Sequence, residues 1–134
     1  MIHPTAIIAS TAQVDSTAII GPYCIIGDNV TIGANTELKA HVNVAGPTKI
    51  GANNTIYSFC SLGEAPQDEG YQGEPTELVV GDNNLFREYI SISRGTVKGG
   101  GLTKIGSHNM FMAYVHIGHD CIVGDYVNMT NNTA

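Results

Sequence analysis

Aliphatic residues recur along this chain with a period of six, and glycine often follows the aliphatic residue directly. A second class of side chain, mostly small, lies four residues after each of them and includes Ala6, Ala12, Ala18, Cys24, Val30, Thr36, Val42 and Thr48. From the amino terminus, eleven consecutive aliphatic positions keep the period, namely Ile2, Ile8, Val14, Ile20, Ile26, Ile32, Leu38, Val44, Ile50, Ile56 and Leu62. This period matches neither the 3.6-residue turn of a helix nor the simple alternation of an isolated strand.

The period of six predicts a short strand and a corner in every hexad, so that three hexads close one triangular coil. We call the aliphatic residue of each hexad its anchor. The anchor and the residue four positions later are expected to point inward, and the others outward. The pattern resembles the hexapeptide-repeat proteins, which implies an all-β fold, the left-handed parallel β-helix. The left hand comes from this resemblance, because parallel crossover connections are usually right-handed.

The three cysteines all fall at the small inward position of a hexad. Cys24 and Cys60 lie two coils apart on one face, about 9–10 Å at the usual strand spacing. Two cysteines so far apart exceed the roughly 7 Å limit for a disulfide. We therefore expect Cys24, Cys60 and Cys121 to be reduced thiols in the core.

The hexad register is interrupted twice, by polar, glycine-rich segments that predict loops outside the coil at about 64–79 and 97–103. These loops would extend from a single domain that covers residues 1–134. After the gaps the anchors resume at Val80, Phe86 and Ile92, and then at Ile105, Phe111, Ile117, Val123 and Met129.

The two loops are predicted to leave from the same face of the prism. If each loop is an insertion within one hexad, counting three anchors at a time stacks Leu62, Ile92 and Ile117 in successive coils. His119 lies two residues after the last of these anchors, and Arg94 takes the equivalent place one coil below. The loops, part of the basic charge and a histidine therefore converge on one edge.

The net charge of −6 argues against general nucleic-acid binding, which needs a basic surface. The amino terminus has neither the charged nor the apolar region of a signal peptide, and no segment has transmembrane length, so we expect a cytoplasmic protein without stable membrane insertion. Clustered basic residues are compatible with a solvated surface or with an anion site. Four of the six fall within eighteen positions, namely Arg87, Arg94, Lys98 and Lys104.

An outward-facing histidine followed by an aspartate is a candidate general base with its helper. The imidazole of His119 can accept a proton near pH 7, and the carboxylate of Asp120 can orient the ring and stabilise the imidazolium. The same residue types are also common at exposed corners of such coils. Spacing alone leaves both interpretations open.

A metal site is a competing interpretation of these histidines, because γ-class carbonic anhydrases share this fold and bind metal through three histidines between subunits. His116 and His119 could supply two ligands, with His108 or His41 as the third. The glycine-histidine ligand spacing of that family is absent here, and Arg94 beneath the site would oppose a cation. We therefore expect no metal.

Three longer motifs, in this order on the repeat, carry a closer resemblance. "QGEPT" at 72–76, "SRGTVKGGGLTKIG" at 93–106 and "HIGHDCIVG" at 116–124 resemble the UDP-N-acetylglucosamine O-acyltransferase family of lipid A biosynthesis. The resemblance implies transfer of an R-3-hydroxyacyl chain from acyl carrier protein to the 3-position of UDP-N-acetylglucosamine. It also implies a homotrimer with clefts between neighbouring prisms, a carrier-protein thioester as donor, and no cofactor.

The resemblance assigns roles to five residues. His119 matches the general base, and Asp120 would support its charge. Asp68, in "PQDEG", matches a carboxylate that holds the sugar. Gln67 and His116 match neighbouring positions that line the cleft.

Three basic residues, Arg94, Lys98 and Lys104, would face the diphosphate or the acidic carrier protein. The sequence departs from the family at two nearby positions, where Gly70 replaces a frequent lysine and Ser93 a frequent histidine. With fewer cations near the substrate, a 3-amino sugar nucleotide is a second possible acceptor. An amine nucleophile would also need its proton removed.

The chain also ends within a hexad, whereas the family continues through more coils and a helical carboxy-terminal domain, which are absent here. Those parts carry further basic residues, the oxyanion donor and the ruler for acyl length. Three competing functions are compatible with the repeat: the N-acyltransferase of the same pathway, a metal-dependent hydratase and a non-catalytic truncated β-helix. The N-acyltransferase is disfavoured because it carries a domain before its β-helix, while the repeat here starts at Ile2.

Overall fold

The protein, described over residues 1–134 by a computed structural model, forms three parallel six-stranded sheets that wind into a left-handed parallel β-helix. The first sheet contains β1 (Ile7–Ile8), β4 (Ile25–Ile26), β7 (Asn43–Val44), β10 (Ser61–Glu64), β13 (Ser91–Ser93) and β16 (His116–Ile117). The second contains β2 (Gln13–Val14), β5 (Val30–Ile32), β8 (Thr48–Ile50), β11 (Glu77–Val80), β14 (Leu102–Ile105) and β17 (Ile122–Val123). The third contains β3 (Ile19–Ile20), β6 (Glu37–Leu38), β9 (Thr55–Ile56), β12 (Leu85–Phe86), β15 (Met110–Phe111) and β18 (Asn128–Met129). None of these elements is a helix that could cross a bilayer.

Each strand pairs with the strand one coil above or below it, and the pairing keeps equivalent hexad positions in one column. Leu62 pairs with Ile92, and Ile92 pairs with Ile117, in the first sheet. The stack that was counted from the sequence across both loops is therefore confirmed. The register shifts by one residue directly after Leu62, where Glu64 pairs with Ser93, close to the start of the first of the two loops.

The anchors form a narrow core along the prism axis, in which Ile26, Leu62 and Phe86 are almost fully buried. Cys24 and Cys60 lie in this core as free thiols. The prediction for Cys121 is wrong, because its free thiol belongs to an exposed residue. Cys121 precedes β17 in the last coil, where no further coil covers its column.

The fourth position of the hexad, three residues after the anchor, adopts a left-handed backbone conformation at thirteen non-glycine residues. This conformation is uncommon for L-residues, and Asn, Asp and His tolerate it best. It turns the chain at each corner of the triangle. The residues are Tyr23, Asn29, Asn35, His41, Asn53, Phe59, Asn83, Tyr89, His108, Tyr114, Asp120, Tyr126 and Asn132.

One corner, between the third and first sheets, carries a ladder of five stacked rings. Neighbouring ring centroids are 5.1–5.2 Å apart, close to the spacing of the coils. Offset or parallel stacking of this kind adds to the pairing between coils. In order, the rings belong to Tyr23, His41, Phe59, Tyr89 and Tyr114.

A second corner, between the second and third sheets, contains three buried asparagines at the small inward position: Asn54, Asn84 and Asn109. The Asn54 Oδ1 accepts the Asn84 backbone N–H at 2.9 Å, and the Asn84 Oδ1 accepts the Asn109 N–H at 2.9 Å. Each side-chain amide also donates to a glycine carbonyl of the next coil. Buried backbone groups at this corner are thus paired by side chains, a function that hydrophobic periodicity alone does not predict.

The two loops span residues 65–76 and 94–101, which we call the first loop and the second loop. The gaps in the hexad register predicted loops at about 64–79 and 97–103. The later strands begin earlier than expected because Leu78 and Thr103, at the inward position before their anchors, pair with each other in β11 and β14. Gly63, at the register shift of β10 just before the first loop, has a φ of +82°, and a Cβ added there would overlap the Thr48 hydroxyl.

The asparagine ladder should be a large contributor to stability. Asn84→Ala leaves the buried Asn109 N–H and the partly buried Gly106 carbonyl without these partners, so we expect the free energy of unfolding to fall by roughly 2–4 kcal/mol. Denaturant titration would measure the change. Asn128→Ala, at an exposed position of β18, is the matched control and should stay within about 0.5 kcal/mol of wild type. Equal effects of the two substitutions would contradict the proposed importance of the ladder.

Candidate active site beside the two loops

The candidate site lies where three consecutive coils of the first sheet end. The first loop follows β10, the second loop follows β13, and His119 and Asp120 follow β16. Asp120 occupies the left-handed corner position of its hexad, with a φ of 66°. The corner conformation of the repeat therefore places this carboxylate beside the second loop.

His119 and Asp120 form a close pair. The His119 Nδ1 is 2.8 Å from the Asp120 Oδ2, and the histidine side chain remains 33% exposed while that of the aspartate is 14% exposed. Since Nδ1 faces the carboxylate, Nε2 is the ring nitrogen left for proton exchange with a ligand. The spacing seen in the sequence thus corresponds to a real contact.

The Asp120 carboxylate is held by the second loop as well as by His119. The Thr96 N–H donates to Oδ1 at 2.7 Å, and the Thr96 hydroxyl donates to Oδ2 at 2.5 Å. Asp120 also donates its own N–H to the Thr103 hydroxyl at 2.8 Å. Burial alone would raise the pKa of the Asp120 carboxyl, but the hydrogen bonds from Thr96 and His119 outweigh burial and lower it.

The glycine run of the second loop follows from this close approach. A Cβ on Gly99 would overlap the Asp120 Oδ2, so no larger residue fits unless the carboxylate moves. Gly100 and Gly101 have φ values of +115° and +81°, which favour glycine for a different reason. The three glycines therefore leave room for the Asp120 carboxylate and also turn the loop back to β14.

The first loop contributes a second carboxylate, Asp68, which meets the second loop. The Lys98 Nζ is 3.1 Å from the Asp68 Oδ2, and the Gly70 N–H donates to Oδ1 at 3.1 Å. The Gly70 N–H and then Lys98 hold the pKa of the Asp68 carboxyl below its usual value, with a smaller influence of His119. Between the loops lies a cavity of about 200 Å³, lined in part by Asp68, Tyr71, Thr96 and Lys98.

The guanidinium of Arg94 is partly occupied by contacts within the chain. Its Nη1 donates to the Gly63 carbonyl at 2.9 Å, and its Nε and Nη2 donate to the Tyr71 hydroxyl at 3.1 and 2.7 Å. Three of the five N–H groups of the guanidinium are therefore used to hold the first loop against the coil. Two remain for other acceptors.

Of the remaining expected site residues, His116 and Gln67 lie on the first sheet and the first loop, and Lys104 lies on another face. The His116 Nδ1 is 2.7 Å from the Ser91 hydroxyl on the outer face of the first sheet, and Gln67 is exposed on the first loop. Lys104 is exposed on the outer face of the second sheet, between Val79 and Ile122, and does not line the cavity between the loops.

The histidines considered as metal ligands lie on different edges of the prism. His41 belongs to the aromatic ladder, and His108 stacks on Tyr126 at 4.8 Å on another corner. Neither is near His119, which lies at the third corner. Within this chain, no group of three or more His, Cys, Asp or Glu side chains could hold a metal ion.

Sequence reasoning missed two residues that build the site, Thr96 and Tyr71. Both lie inside loops, where hexad counting assigns no direction to a side chain. A signal for Thr96 was present in its position before the glycine run, since a loop that must pass a carboxylate closely needs both small residues and a donor. Tyr71 carries no comparable signal.

Known proteins resemble this chain in its repeat, and individual relatives also match the segments that form the site. The model of the bacterial transferase hexapeptide family (six repeats) matches residues 5–40 and 102–133, just over half of the chain. The chain belongs to the bacterial transferase hexapeptide family. The segment that the family model leaves unmatched contains both loops.

Individual relatives of this hexapeptide chain match it across both loops. The acyl-(acyl-carrier-protein)–UDP-N-acetylglucosamine O-acyltransferase of Saccharophagus degradans is 50% identical over 133 residues, which are 99% of this chain and 52% of that protein. The structure of LpxA from Acinetobacter baumannii is 57% identical with a TM-score of 0.97, over 98% of this chain and 51% of that one. The UDP-N-acetylglucosamine O-acyltransferase of Moraxella catarrhalis is 53% identical with a TM-score of 0.95, over the same shares. The chain spans about half the length of these relatives.

The Asp120 contacts predict a pH-dependent contribution to stability. Because its pKa is lower in the folded than in the unfolded chain, the carboxylate stabilises the fold above the unfolded pKa of about 3.9, and this stabilisation is lost as the pH falls through the folded pKa. Asp120→Asn should lower the free energy of unfolding by about 1–3 kcal/mol at neutral pH. Near pH 2 the difference from wild type should shrink, as measured by denaturant titration.

The control for this pH dependence is Glu69→Gln, which neutralises an exposed carboxylate of the first loop. It should change stability little at either pH. An Asp120→Asn variant whose deficit is the same in acid as at neutral pH would contradict the account.

Proposed function

We propose that this chain carries the catalytic histidine of an acyltransferase that moves an R-3-hydroxyacyl group from acyl carrier protein to the 3-hydroxyl of UDP-N-acetylglucosamine. The observation that carries the proposal is the His119–Asp120 pair held beneath the second loop, beside a cavity with a fixed carboxylate and an ammonium group. The names of the relatives at 50–57% identity support the same reaction.

In this reaction, the Nε2 of His119 takes the proton of the acceptor hydroxyl as its oxygen attacks the thioester carbonyl. The new carbon–oxygen bond forms and the carbon–sulfur bond breaks. The thiolate of the carrier protein then receives the proton from the imidazolium. Asp120, with both oxygens hydrogen-bonded, stabilises that imidazolium without taking its proton.

The sugar nucleotide is proposed to bind against the first loop. Asp68 is fixed by the Gly70 N–H and keeps its negative charge, so it can accept hydrogen bonds from sugar hydroxyls. Lys98, with a side chain that is 72% exposed, can reach a phosphate. Gln67 and His116 line the same edge, and Arg94 supports the loop from beneath.

A 3-amino sugar nucleotide is the second candidate acceptor. Gly70 leaves the flank of Asp68 open, and Ser93, which is buried, supplies no charge where the resembling family often has a histidine. His119 could equally take a proton from an amine after its attack. Parallel assays with the hydroxyl and the amine acceptor distinguish the two.

The assembly and its surroundings belong to the same proposal. A homotrimer would bring a neighbouring prism against this edge, and the acidic carrier protein would approach exposed cations such as Lys104. The proposed reaction needs no cofactor and takes place in the cytoplasm.

The assigned base is tested by His119→Ala in the full-length polypeptide. Removing the base should lower kcat by about 10²–10⁴-fold with little change in binding of the sugar nucleotide, because general base catalysis contributes on that order. A discontinuous assay of acyl transfer measures it. His3→Ala, at an exposed histidine next to Thr5, is the control and should retain activity. Equal product from both variants would remove His119 from this role.

The proposed anion contact is tested by Lys98→Gln. Losing one charge-assisted contact to phosphate should raise KM for the sugar nucleotide roughly three- to tenfold and leave kcat nearly unchanged. Lys49→Gln, at an exposed lysine of β8, removes the same charge from another face and should leave KM unchanged. If both lysine variants bind as wild type does, the ammonium group has no part in recognition.

A further inference from the structure

Thr96 is a buried residue at the root of the second loop, and it connects the loop to the His119–Asp120 pair. It is 3% exposed, and both its N–H and its hydroxyl donate to the Asp120 carboxylate. No other residue of the second loop donates to this carboxylate through a side chain. Thr96 is therefore the loop residue through which the pair is held.

The direction of the Thr96 hydroxyl is fixed by a further contact. The Gly99 N–H donates to the Thr96 Oγ1 at 3.0 Å. A hydroxyl has one proton and can accept with its lone pairs, so an oxygen that already accepts from Gly99 directs its proton to its other partner. That partner is the Asp120 Oδ2 at 2.5 Å.

The same chain of contacts determines which nitrogen of His119 carries a proton. An ionised carboxylate can only accept, so the Nδ1 of His119, 2.8 Å from Oδ2, must be the donor. In the neutral ring the other nitrogen, Nε2, is then an acceptor. The tautomer required of a general base is thus set by an acceptor, the Asp120 carboxylate, which the donors of Thr96 hold in place.

We propose that Thr96 is a positioning residue for the acyl transfer, which holds the Asp120 carboxylate so that His119 keeps its proton on Nδ1. The kinetic part of this inference rests on the proposed function, while the tautomer part does not. Gly99 is needed for the same arrangement of Thr96 and Asp120, because a Cβ there would occupy the place of the Asp120 Oδ2. The conformation of the second loop thereby controls the tautomer of the base.

The test compares Thr96→Val, which removes the hydroxyl but keeps the shape, with Thr96→Ser, which keeps the hydroxyl. In the full-length protein, Thr96→Val should lower kcat about tenfold or more with KM for the sugar nucleotide within about twofold, since a hydrogen bond to a charged group is lost. Thr96→Ser should restore most of the activity. Thr96→Ala serves in addition if the valine variant does not fold.

The second readout is the ¹⁵N NMR spectrum of the histidine rings at neutral pH. Wild type should show His119 mainly with the proton on Nδ1, and Thr96→Val should show a mixture of tautomers. Thr36→Val is the matched control, because Thr36 is a fully buried threonine away from the site whose hydroxyl likewise donates one hydrogen bond, here to a backbone carbonyl, and accepts one N–H. Its His119 signals should match wild type.

Each outcome of these measurements supports or contradicts the role of Thr96. A wild-type protein with His119 mainly protonated on Nε2, or a Thr96→Val variant with wild-type kcat and tautomer, would overturn the inference. Loss of activity in Thr96→Val with an unchanged tautomer would make Thr96 merely structural and would also overturn it. If wild type transfers no acyl group, the proposed function fails, while the tautomer still decides the role of Thr96.

Discussion

The stacking of one coil on the next at a fixed hexad register is the constraint on which the rest of this structure depends. Every strand between the first and last coils satisfies its backbone groups through the strands above and below, so a position in one hexad recurs in a column along the prism. Inward positions must be apolar or carry their own hydrogen-bond partners, as the asparagine ladder does. Extra residues can leave only where a strand has ended, because an insertion inside a strand would turn every following side chain to the wrong face.

This constraint explains how a site can form on a repeat that otherwise has no cleft. Two loops that leave the same column in adjacent coils must lie on each other, and the next coil must lie on the second loop. Asp120 reaches the second loop because the corner position of the hexad is left-handed, a property of the scaffold and not of the site. The ordinary corner of the repeat therefore places the Asp120 carboxylate, and Thr96 and Gly99 are the loop residues that accommodate it.

The periodic part of the molecule could be predicted from the sequence, and the part outside the period could not. Anchor counting correctly stacked Leu62, Ile92 and Ile117, and so located His119 beside the loops. It gave no direction for the Arg94 guanidinium, which donates to Tyr71 in a loop of no regular structure. It failed for Cys121, since an inward direction gives burial only where another coil covers the column. Periodicity thus predicts whether a side chain points inward or outward, whereas the residues that it contacts and the coil that covers it depend on the tertiary fold.

The two attachments of the second loop differ in strength, and the difference suits the proposed reaction. At the root, Thr96 and Asp120 are largely buried, so their charge-assisted hydrogen bonds are protected from water. At the tip, Lys98 is 72% exposed, and its ion pair with Asp68 contributes little to stability because water screens it. A phosphate could therefore draw Lys98 away from Asp68 at little cost, while the root stays in place. Substrate binding can then rearrange the tip without disturbing the carboxylate that orients His119.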